Sequence, residues 1–480
     1  MFRIFYLFIG LACAIEVLAE DRYILFGGGP LPEESQISIE KNTFWILTFL
    51  QETKNINNTS FYYTDGEGNK PDIRVSRDEP ITAGFEILTR TFRKESELGI
   101  HYRQNIFTTR HSSAAAYDLE PELKKHFLNA TKQDSVTLIY QGHGGYQPAD
   151  TRNNFFRLWD NTKINVIKLA SLMSLANDDA TIRFVFPQCF SGAFSKVIYH
   201  NANPEAGLAI NTRCGFLAQP DHLESEGCTD SVYTGDYRDY SSYFFSALSG
   251  KTINGKHING QPDWDGDGIV TLRESHFYTL EHARSIDFSR ATSEDYLENW
   301  QPWYLKWAPT TPQLNNEYAQ LAERLAVSLG YNGVWSKAAS QLWHDIQESE
   351  TQVSSAKQLL KKLQLKIKKV QKHLQFKLLL EWPYLKNPYG QEYQEKILTD
   401  LPSIITLYEQ HPDYLKLQEL QNEYEDTEVK ELDLRRQQVQ LRKVIRFRKL
   451  ATLLDQFQYY ANETLKQEYQ RLLSCEDSAL

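Results

Sequence analysis

Short apolar runs alternate with amphipathic stretches over the first three hundred residues of the chain. The apolar runs predict strands at 23–26, 61–64, 136–140, 181–186 and 216–218, and the stretches between them predict helices at 38–51, 112–130 and 166–176. Strands that alternate with helices in this way are typical of a mostly parallel sheet with helices on both faces. The sequence therefore predicts an α/β fold for residues 20–308.

The pattern changes after about Thr310, where glycine becomes rare and Leu, Gln, Lys and Glu dominate. One apolar stripe at helical spacing extends from Val353 to Leu374, and a second long helix is predicted over 415–460. These segments predict an α-helical hairpin or bundle for residues 309–480. The basic run at 442–449 fits a solvated helix face, and an anionic partner is the alternative.

The residues before Glu20 have the features of a secretory signal peptide. A short positive start precedes an apolar core at 4–15, and residues 17–19 are small or apolar, as a cleavage site requires. One alternative is a buried first strand or helix. The other is a lipid anchor on Cys13, but Leu11 stands one place late for the leucine of a good lipobox. No other apolar run approaches the length of a membrane span. We therefore expect an exported protein, periplasmic or secreted, without a lipid anchor.

Length and charge narrow the class of protein further. The 480 residues are too many for one average domain, so two or three domains are expected, and 41% hydrophobic residues are enough to form a packed core. The formal net charge is −10 at pH 7. Because nucleic-acid-binding surfaces usually carry a basic excess, this charge argues against a nucleic-acid partner.

The chain has five cysteines, and Cys13 would leave with the signal peptide. Cys214 and Cys228 enclose a short polar segment, and an oxidising compartment would make them disulfide partners. A loop of this length would be stabilised by about 3 kcal/mol in the chain-entropy model. This pairing leaves Cys189 as a thiol, with Cys475 near the end of the sequence. A chemical role would explain an unpaired Cys189, and a buried apolar cysteine is the alternative.

Two of the predicted strands run directly into a reactive residue beside glycine, at His143 and Cys189. The segments are Gln141-Gly142-His143-Gly144-Gly145 and Pro187-Gln188-Cys189-Phe190-Ser191-Gly192. Sites in parallel sheets form beyond the carboxyl ends of the strands, where both residues are placed. A cysteine attacks acyl carbons as a thiolate and needs a nearby imidazole, and the oxyanion that forms needs backbone donors. The amides of Gly144 and Cys189 are candidates for that oxyanion hole, and a structural histidine is the alternative for His143.

These two segments resemble the signatures of the caspase-like cysteine peptidases, the clan that contains legumains, metacaspases, gingipains and caspases. In that clan one apolar strand ends in His-Gly, and a later one ends in a cysteine followed by a small residue and glycine. The legumain-type branch is the most similar, on the segment from Cys214 to Cys228 and the helix at 243–248. The resemblance covers residues 21–307 and leaves the helical segment outside it.

The resemblance implies a caspase-like fold and peptide-bond hydrolysis by a Cys-His dyad acting on protein or peptide substrates. Cys189 would be the nucleophile, His143 would protonate the leaving amine and assist deacylation, and Gly144 would line the oxyanion hole. Many relatives carry an acidic or small residue before the cysteine, whereas Pro187 and Gln188 stand here. The resemblance therefore gives no substrate preference, and the substrate-binding residues stay unknown.

Residues 263–274 fit the twelve-residue EF-hand calcium loop at each defining position. Gly268 stands where the sharp turn needs glycine, and the expected ligands are Asp263, Asp265, Asp267, the carbonyl of Ile269, Thr271 and Glu274. The exiting segment 272–284 looks helical, but the entering side does not. We therefore expect a structural calcium ion that braces the catalytic domain, and an acidic surface turn is the alternative.

Taken together, the sequence predicts an exported, calcium-braced cysteine endopeptidase with a C-terminal helical domain. Two alternatives remain open at this stage. One is a peptide ligase or transpeptidase that uses the same dyad, and the other is a non-catalytic scaffold of the same fold that binds partners through its helices. The helices could be an inhibitory prosegment, a partner-binding arm or a substrate platform, and the sequence does not choose among these.

Overall fold

The computed structural model describes residues 20–480 apart from 55–57, 77–82, 93–99, 229–234, 236, 308–313, 333–334 and 388–389. The predicted signal peptide lies outside these residues. A central, mostly parallel sheet with helices on both faces confirms the predicted α/β class. The strands are β1 (Asp21–Gly28), β2 (Thr59–Tyr63), β3 (Ile73–Ser76), β4 (Ile100–Arg103), β5 (Ser135–Gly145), β6 (Phe155–Leu158), β7 (Thr162–Asn165), β8 (Thr181–Phe186), β9 (Thr212–Leu217) and β10 (Arg290–Ala291).

The helices alternate with these strands and then continue alone after β10. They are α1 (Ile37–Thr53), α2 (Ala83–Phe92), α3 (Ala116–Leu128), α4 (Val166–Met173), α5 (Tyr240–Ser249), α6 (Leu272–His282), α7 (Thr292–Trp300), α8 (Glu317–Ser328), α9 (Trp335–Glu381), α10 (Gln391–Glu409), α11 (Pro412–Tyr460) and α12 (Glu463–Glu476). No helix in the described part of the chain is both long and apolar enough to cross a membrane.

The central sheet has the strand order β10-β9-β8-β5-β1-β2. The pairs β1–β2, β1–β5, β5–β8 and β8–β9 are parallel, and β10 adds an antiparallel edge. The end of β5 extends beyond this sheet and pairs with β6, which pairs in turn with β7. β5 and β8 are therefore neighbours, and the segments that follow them emerge at the same edge.

Burial on both faces explains why the central strands read as continuous apolar runs. Successive side chains point to opposite faces, so Leu138 and Tyr140 join one core while Ile139 joins the other. All three side chains are fully buried. The first core contains residues of α3 and α4, and the second contains residues of α1 and α5.

The predicted helical hairpin is present in α9 and α11. Three contacts along them show that they run antiparallel: the ion pairs of Glu350 with Arg442 and of Lys357 with Glu431, and the hydrogen bond between His373 and Asp413. Their far ends have a small core of their own, shared with α2 and α10. The predicted boundary at 308–309 falls in the undescribed residues 308–313, so it stays a prediction.

The near ends of the helical segment share the core of the sheet. Tyr318 of α8, Phe447 of α11 and Leu472 of α12 belong to the same buried cluster as Leu138 and Phe184 of the strands. Glu476 is also buried there, and its carboxylate accepts hydrogen bonds from the Ser293 amide at 2.8 Å and from the Thr292 hydroxyl at 2.7 Å. Residues on both sides of 309 therefore stabilise one another.

A disulfide bond fastens α12 to the sheet, and it corrects the predicted cysteine pairing. Cys214 of β9 is bonded to Cys475 of α12, and their Cα atoms are 6.0 Å apart. The predicted pairing of Cys214 with Cys228 is wrong. Cys214 is fully buried under α12, whereas Cys228 is exposed and lies beside His143. Short spacing favoured the wrong partner because the correct one is 261 residues away in sequence.

The sequence indicates that the basic run of α11 is a solvated face. The structure corrects this prediction, because part of the run is buried. Lys443 and Arg446 are 1% and 6% exposed. Arg446 forms ion pairs with Glu294 of α7 at 2.8 Å and with Glu298 at 3.4 Å. The acidic groups of α7 therefore satisfy part of the basic run within the chain itself.

Candidate active site

The sheet places His143 and Cys189 at the same edge, as the sequence predicts. His143 lies near the end of β5, opposite Arg157 of β6. Cys189 stands three residues after the end of β8, which pairs with β5 in parallel. Both residues are half-buried.

Gly144 is the point at which the two segments touch. A Cβ atom built on Gly144 would lie 1.9 Å from the carbonyl oxygen of Cys189 and 2.9 Å from its carbonyl carbon. Only glycine fits this approach, because any other side chain would overlap the backbone of Cys189. Gly144 therefore packs against Cys189, and the use of their two amides as an oxyanion hole stays a prediction.

Two acceptors orient the imidazole of His143. Its Nε2 lies 2.7 Å from the carbonyl oxygen of Glu34 and 2.9 Å from Oε1 of Gln36. Both neighbours accept hydrogen bonds, so the proton of the neutral ring sits on Nε2. Nδ1 is then the lone-pair nitrogen, and it faces Sγ of Cys228 at 3.6 Å.

Arg157 holds in place the residue that orients His143. Arg157, which lies opposite His143, donates from Nη2 to Oε1 of Glu34 at 2.9 Å, so the residue whose carbonyl holds the ring is itself held. Burial lowers the pKa of His143, and Arg157 acts in the same direction, while the hydrogen bond to Glu34 opposes them. The resting imidazole is therefore neutral at neutral pH.

The thiol of Cys189 is held by the loop after β9. The amide of Ser225 donates to Sγ of Cys189 at 3.2 Å. Burial raises the pKa of the Cys189 thiol to about 12, the neighbouring Cys228 adds to the increase, and the Ser225 amide opposes it. The resting site therefore pairs a neutral thiol with a neutral imidazole, so the thiol must give up its proton as it attacks a substrate.

The backbone turns sharply directly after the candidate nucleophile. Phe190 has φ 60° and ψ 17°, in the left-handed region that a bulky residue rarely adopts. Its amide donates to the carbonyl of Leu223 at 2.8 Å, and its ring stacks on Tyr146 at 5.2 Å. Such conformations concentrate at functional sites, where the surrounding contacts enforce them.

Two side chains of the site, Ser225 and Cys228, could not be assigned to it from the sequence. Ser225 was not singled out, although its hydroxyl also donates to the carbonyl of Pro187 at 2.9 Å and so joins the loop to the segment before Cys189. Cys228 was assigned to a disulfide, whereas the structure places its thiol against His143. No local pattern in the sequence marks either role, because both depend on how the loop after β9 folds back.

The predicted calcium loop brings three of its expected ligands close together. One carboxylate oxygen each of Asp263, Asp265 and Asp267 lies within 4.8 Å of the others. The carboxylate of Glu274 reaches across the loop and accepts from the amide of Trp264 at 2.7 Å, and it also accepts from the amide of Thr271 at 2.8 Å. The three converging aspartates fit a hard cation such as Ca²⁺, whereas the carboxylate of Glu274 is outside that group and is held by the loop amides.

The remaining predicted ligand positions also lie in this loop. Ile269, whose carbonyl is an expected ligand, has an exposed side chain. Thr271 is the N-cap of α6, and Glu274 completes a capping box with it. α6 ends at His282, two residues before the predicted end at 284. The residues present therefore fit calcium, and the identity of the ion stays a prediction.

Comparison with known proteins adds little to this geometry. No protein-family model matches the chain, and no curated protein matches it. Among solved structures, the chain is similar to the crystal structure of protein GSU0716 from Geobacter sulfurreducens, with 11% sequence identity and a TM-score of 0.33. The match covers 57% of this chain and 92% of that chain. At this level of similarity the match carries no argument about function.

Proposed function

We propose that this chain is a caspase-like cysteine endopeptidase that hydrolyses peptide bonds in protein or peptide substrates through Cys189 and His143. The observation that carries the proposal is the meeting of two neighbouring strand ends, where Gly144, next to His143, packs against the carbonyl of Cys189. The strained turn at Phe190 and the fixed imidazole support it, because both are features of an ordered site rather than of a surface loop.

The proposed reaction uses the neutral resting pair. Sγ of Cys189 attacks the carbonyl carbon of the scissile bond, and its proton passes to Nδ1 of His143, whose Nε2 remains bonded to the carbonyl of Glu34. The imidazolium then protonates the leaving amine as the C–N bond breaks, which leaves a thioester. His143 next takes a proton from water, and the resulting hydroxide attacks the thioester carbon. The C–S bond then breaks, the thiolate of Cys189 regains its proton from the His143 imidazolium, and the carboxylic acid product leaves the site.

A peptide library with a mass-spectrometric readout of products tests this proposal. We expect Cys189→Ala and His143→Ala to lose at least about a thousandfold in cleavage rate, because each removes a member of the dyad. Cys228→Ala is the matched control, since it removes the thiol that lies 3.6 Å from Nδ1 of His143, and it should cleave at close to the wild-type rate.

The outcomes of this assay separate the alternatives. Cleavage that survives Cys189→Ala would exclude the proposed nucleophile, and cleavage that is lost only in Cys228→Ala would transfer the role to Cys228. Products heavier than the library peptides would show ligation in place of hydrolysis. No cleavage by the wild-type protein under any condition would favour the non-catalytic scaffold.

We also propose that the loop at 263–274 binds a structural calcium ion through Asp263, Asp265, Asp267 and Glu274, together with the carbonyl of Ile269 and Thr271. Bound calcium would neutralise the converging carboxylates and hold the start of α6. Removal of calcium by a chelator should lower the melting temperature by about 3 °C if calcium is present at a hundred times its dissociation constant.

The double variant Asp263→Asn/Asp265→Asn provides the control for that measurement. It should melt at the same temperature with and without the chelator, because it has lost two of the expected ligands. The wild-type protein should also retain calcium through dialysis against metal-free buffer. The proposal would be contradicted if the chelator left the wild-type melting temperature unchanged and dialysis removed all of the calcium.

The cysteine pairing bears on the proposed location of the protein. A bond such as that between Cys214 and Cys475 persists in oxidising compartments and is rare in the cytosol. It supports the proposal that the protein is exported.

A further inference from the structure

The long helix α11 reaches the loop that holds the candidate nucleophile. Nε of Arg436 lies 3.1 Å from Oε1 and 3.3 Å from Oε2 of Glu226, and Nη2 of Arg436 also bonds Oε1. The two side chains are only 19% and 13% exposed. A planar guanidinium that meets a carboxylate in this way fixes its orientation as well as its charge.

Glu226 stands next to the residue that contacts the catalytic sulfur. The amide of Ser225 donates to Sγ of Cys189 at 3.2 Å, and Ser225 and Glu226 are consecutive in the loop. A displacement of the Glu226 backbone would therefore act one residue away from the amide that contacts the sulfur.

A second segment of the catalytic half braces the same two loop residues. Oδ1 of Asp287 accepts from the amide of Glu226 at 2.9 Å and lies 2.9 Å from the hydroxyl oxygen of Ser225, whose one proton is shared between Asp287 and the carbonyl of Pro187. The amide of Ile286 donates to Oε2 of Glu226 at 3.0 Å. The segment that carries Ile286 and Asp287 and the guanidinium of Arg436 thus both hold the loop at Glu226.

The helix also fixes that bracing segment. On the face of α11 that carries Arg436, Gln440 donates to the carbonyl of Ala283 at 2.9 Å, and Arg446 donates to the carbonyl of Ser289 at 3.1 Å. Lys443 lies between them and is buried. Spacings of three and four residues place these side chains on one stripe of the helix. A single helix face therefore contacts both the loop, at Glu226, and the segment around Asp287 that braces the loop.

We propose that α11 is a positioning element of the active site, in which Arg436 holds Glu226 and thereby fixes the Ser225 amide on the sulfur of Cys189. The inference rests on the proposed function, and it assigns to the helical half a role in preparing the nucleophile. Arg436 and Glu226 are positioning residues, because neither contacts the sulfur or a substrate.

The test compares Arg436→Ala and Arg436→Lys with Arg435→Ala in the full-length protein. Arg435 is the neighbouring arginine of the same helix, and it pairs with Glu431 at 3.9 Å instead of with the loop. Two quantities are measured: the rate at which iodoacetamide alkylates Cys189 between pH 7 and 10, read on the peptide that contains Cys189, and the kcat and KM for a cleaved peptide.

We expect Arg436→Ala to lower the Cys189 alkylation rate at pH 8 by about tenfold, since a loosened Ser225 amide stabilises the thiolate less. The kcat should fall by a similar factor while KM stays within twofold. Arg436→Lys keeps the charge but loses the planar fork, so it should fall between wild type and Arg436→Ala. Arg435→Ala should match the wild-type protein in both measurements.

An alkylation rate in Arg436→Ala that rises, or that stays within twofold of Arg435→Ala at every pH, would overturn the inference. Should Arg436→Ala fail to fold, the comparison of Arg436→Lys with Arg435→Ala decides in the same way. Alkylation needs no peptide cleavage, so an inactive wild-type protein would count against the proposed function while the alkylation series still tests the positioning role.

Discussion

Replacement of Gly144 by alanine is expected to reduce kcat/KM for peptide cleavage by at least about a hundredfold. The added methyl group would lie 1.9 Å from the carbonyl oxygen of Cys189, so either the end of β5 or the nucleophile segment must move. Backbone occupies both sides of this contact, and no side chain can rotate away to relieve it. The displacement would move His143 away from Cys189. The proposed reaction needs these two residues close together, so its rate would fall.

The measurement is kcat/KM for a peptide that the wild-type protein cleaves, at a temperature at which both proteins are folded. Gly390→Ala is the matched control, because a Cβ atom at Gly390 would meet atoms of Asn387 at 3.2 Å, a contact that a shift of a few tenths of an ångström relieves. The control should cleave at close to the wild-type rate. A Gly144→Ala protein with kcat/KM within tenfold of wild type would show that the contact does not set the catalytic geometry.

The second large effect is expected from Cys475→Ser, which should destabilise the protein by about 5 kcal/mol in the chain-entropy model. The bond between Cys214 and Cys475 closes a loop that spans 261 residues of sequence, so its loss frees a large part of the unfolded chain. For a chain of this size the change corresponds to a fall of about 5 °C in melting temperature. Differential scanning calorimetry without reductant is the appropriate measurement.

Cys228→Ser is the control that separates the two possible pairings. It should leave the melting temperature within about 1 °C of wild type, because Cys228 takes no part in the disulfide. Counting thiols in the denatured, unreduced protein provides an independent check, with one more thiol in Cys475→Ser than in wild type. Destabilisation by Cys228→Ser, with none by Cys475→Ser, would restore the pairing that the sequence had indicated.

The elements that carry the chemistry could be predicted because their signals are local. Strands buried on both faces appear as continuous apolar runs, so the predictions at 136–140 and 181–186 fall within the observed β5 and β8. The sequence marks His143 by a glycine on each side and Cys189 by a glycine three residues later, and both residues follow an apolar strand. The order of the strands then brings them to one edge, as parallel topology requires.

The errors lie where distant segments meet. Cys475 could not be assigned to Cys214 from spacing, since the partner comes from a helix at the far end of the described chain. The sequence indicates a solvated Lys443 because α11 alone shows only a basic run, and its burial follows from packing against the half of the chain that contains the sheet. Ser225 and Glu226 gave no signal for the same reason, because their roles depend on Asp287 and Arg436.

The link through Cys214 and Cys475 also determines what a cut in the backbone would do. A nick at any point between these two residues would leave both pieces joined through sulfur, in addition to the buried contacts that they share. Release of the C-terminal piece would need a reductant as well as a proteinase. Maturation by nicking would thus yield a two-chain molecule, and α12 would remain attached to the sheet.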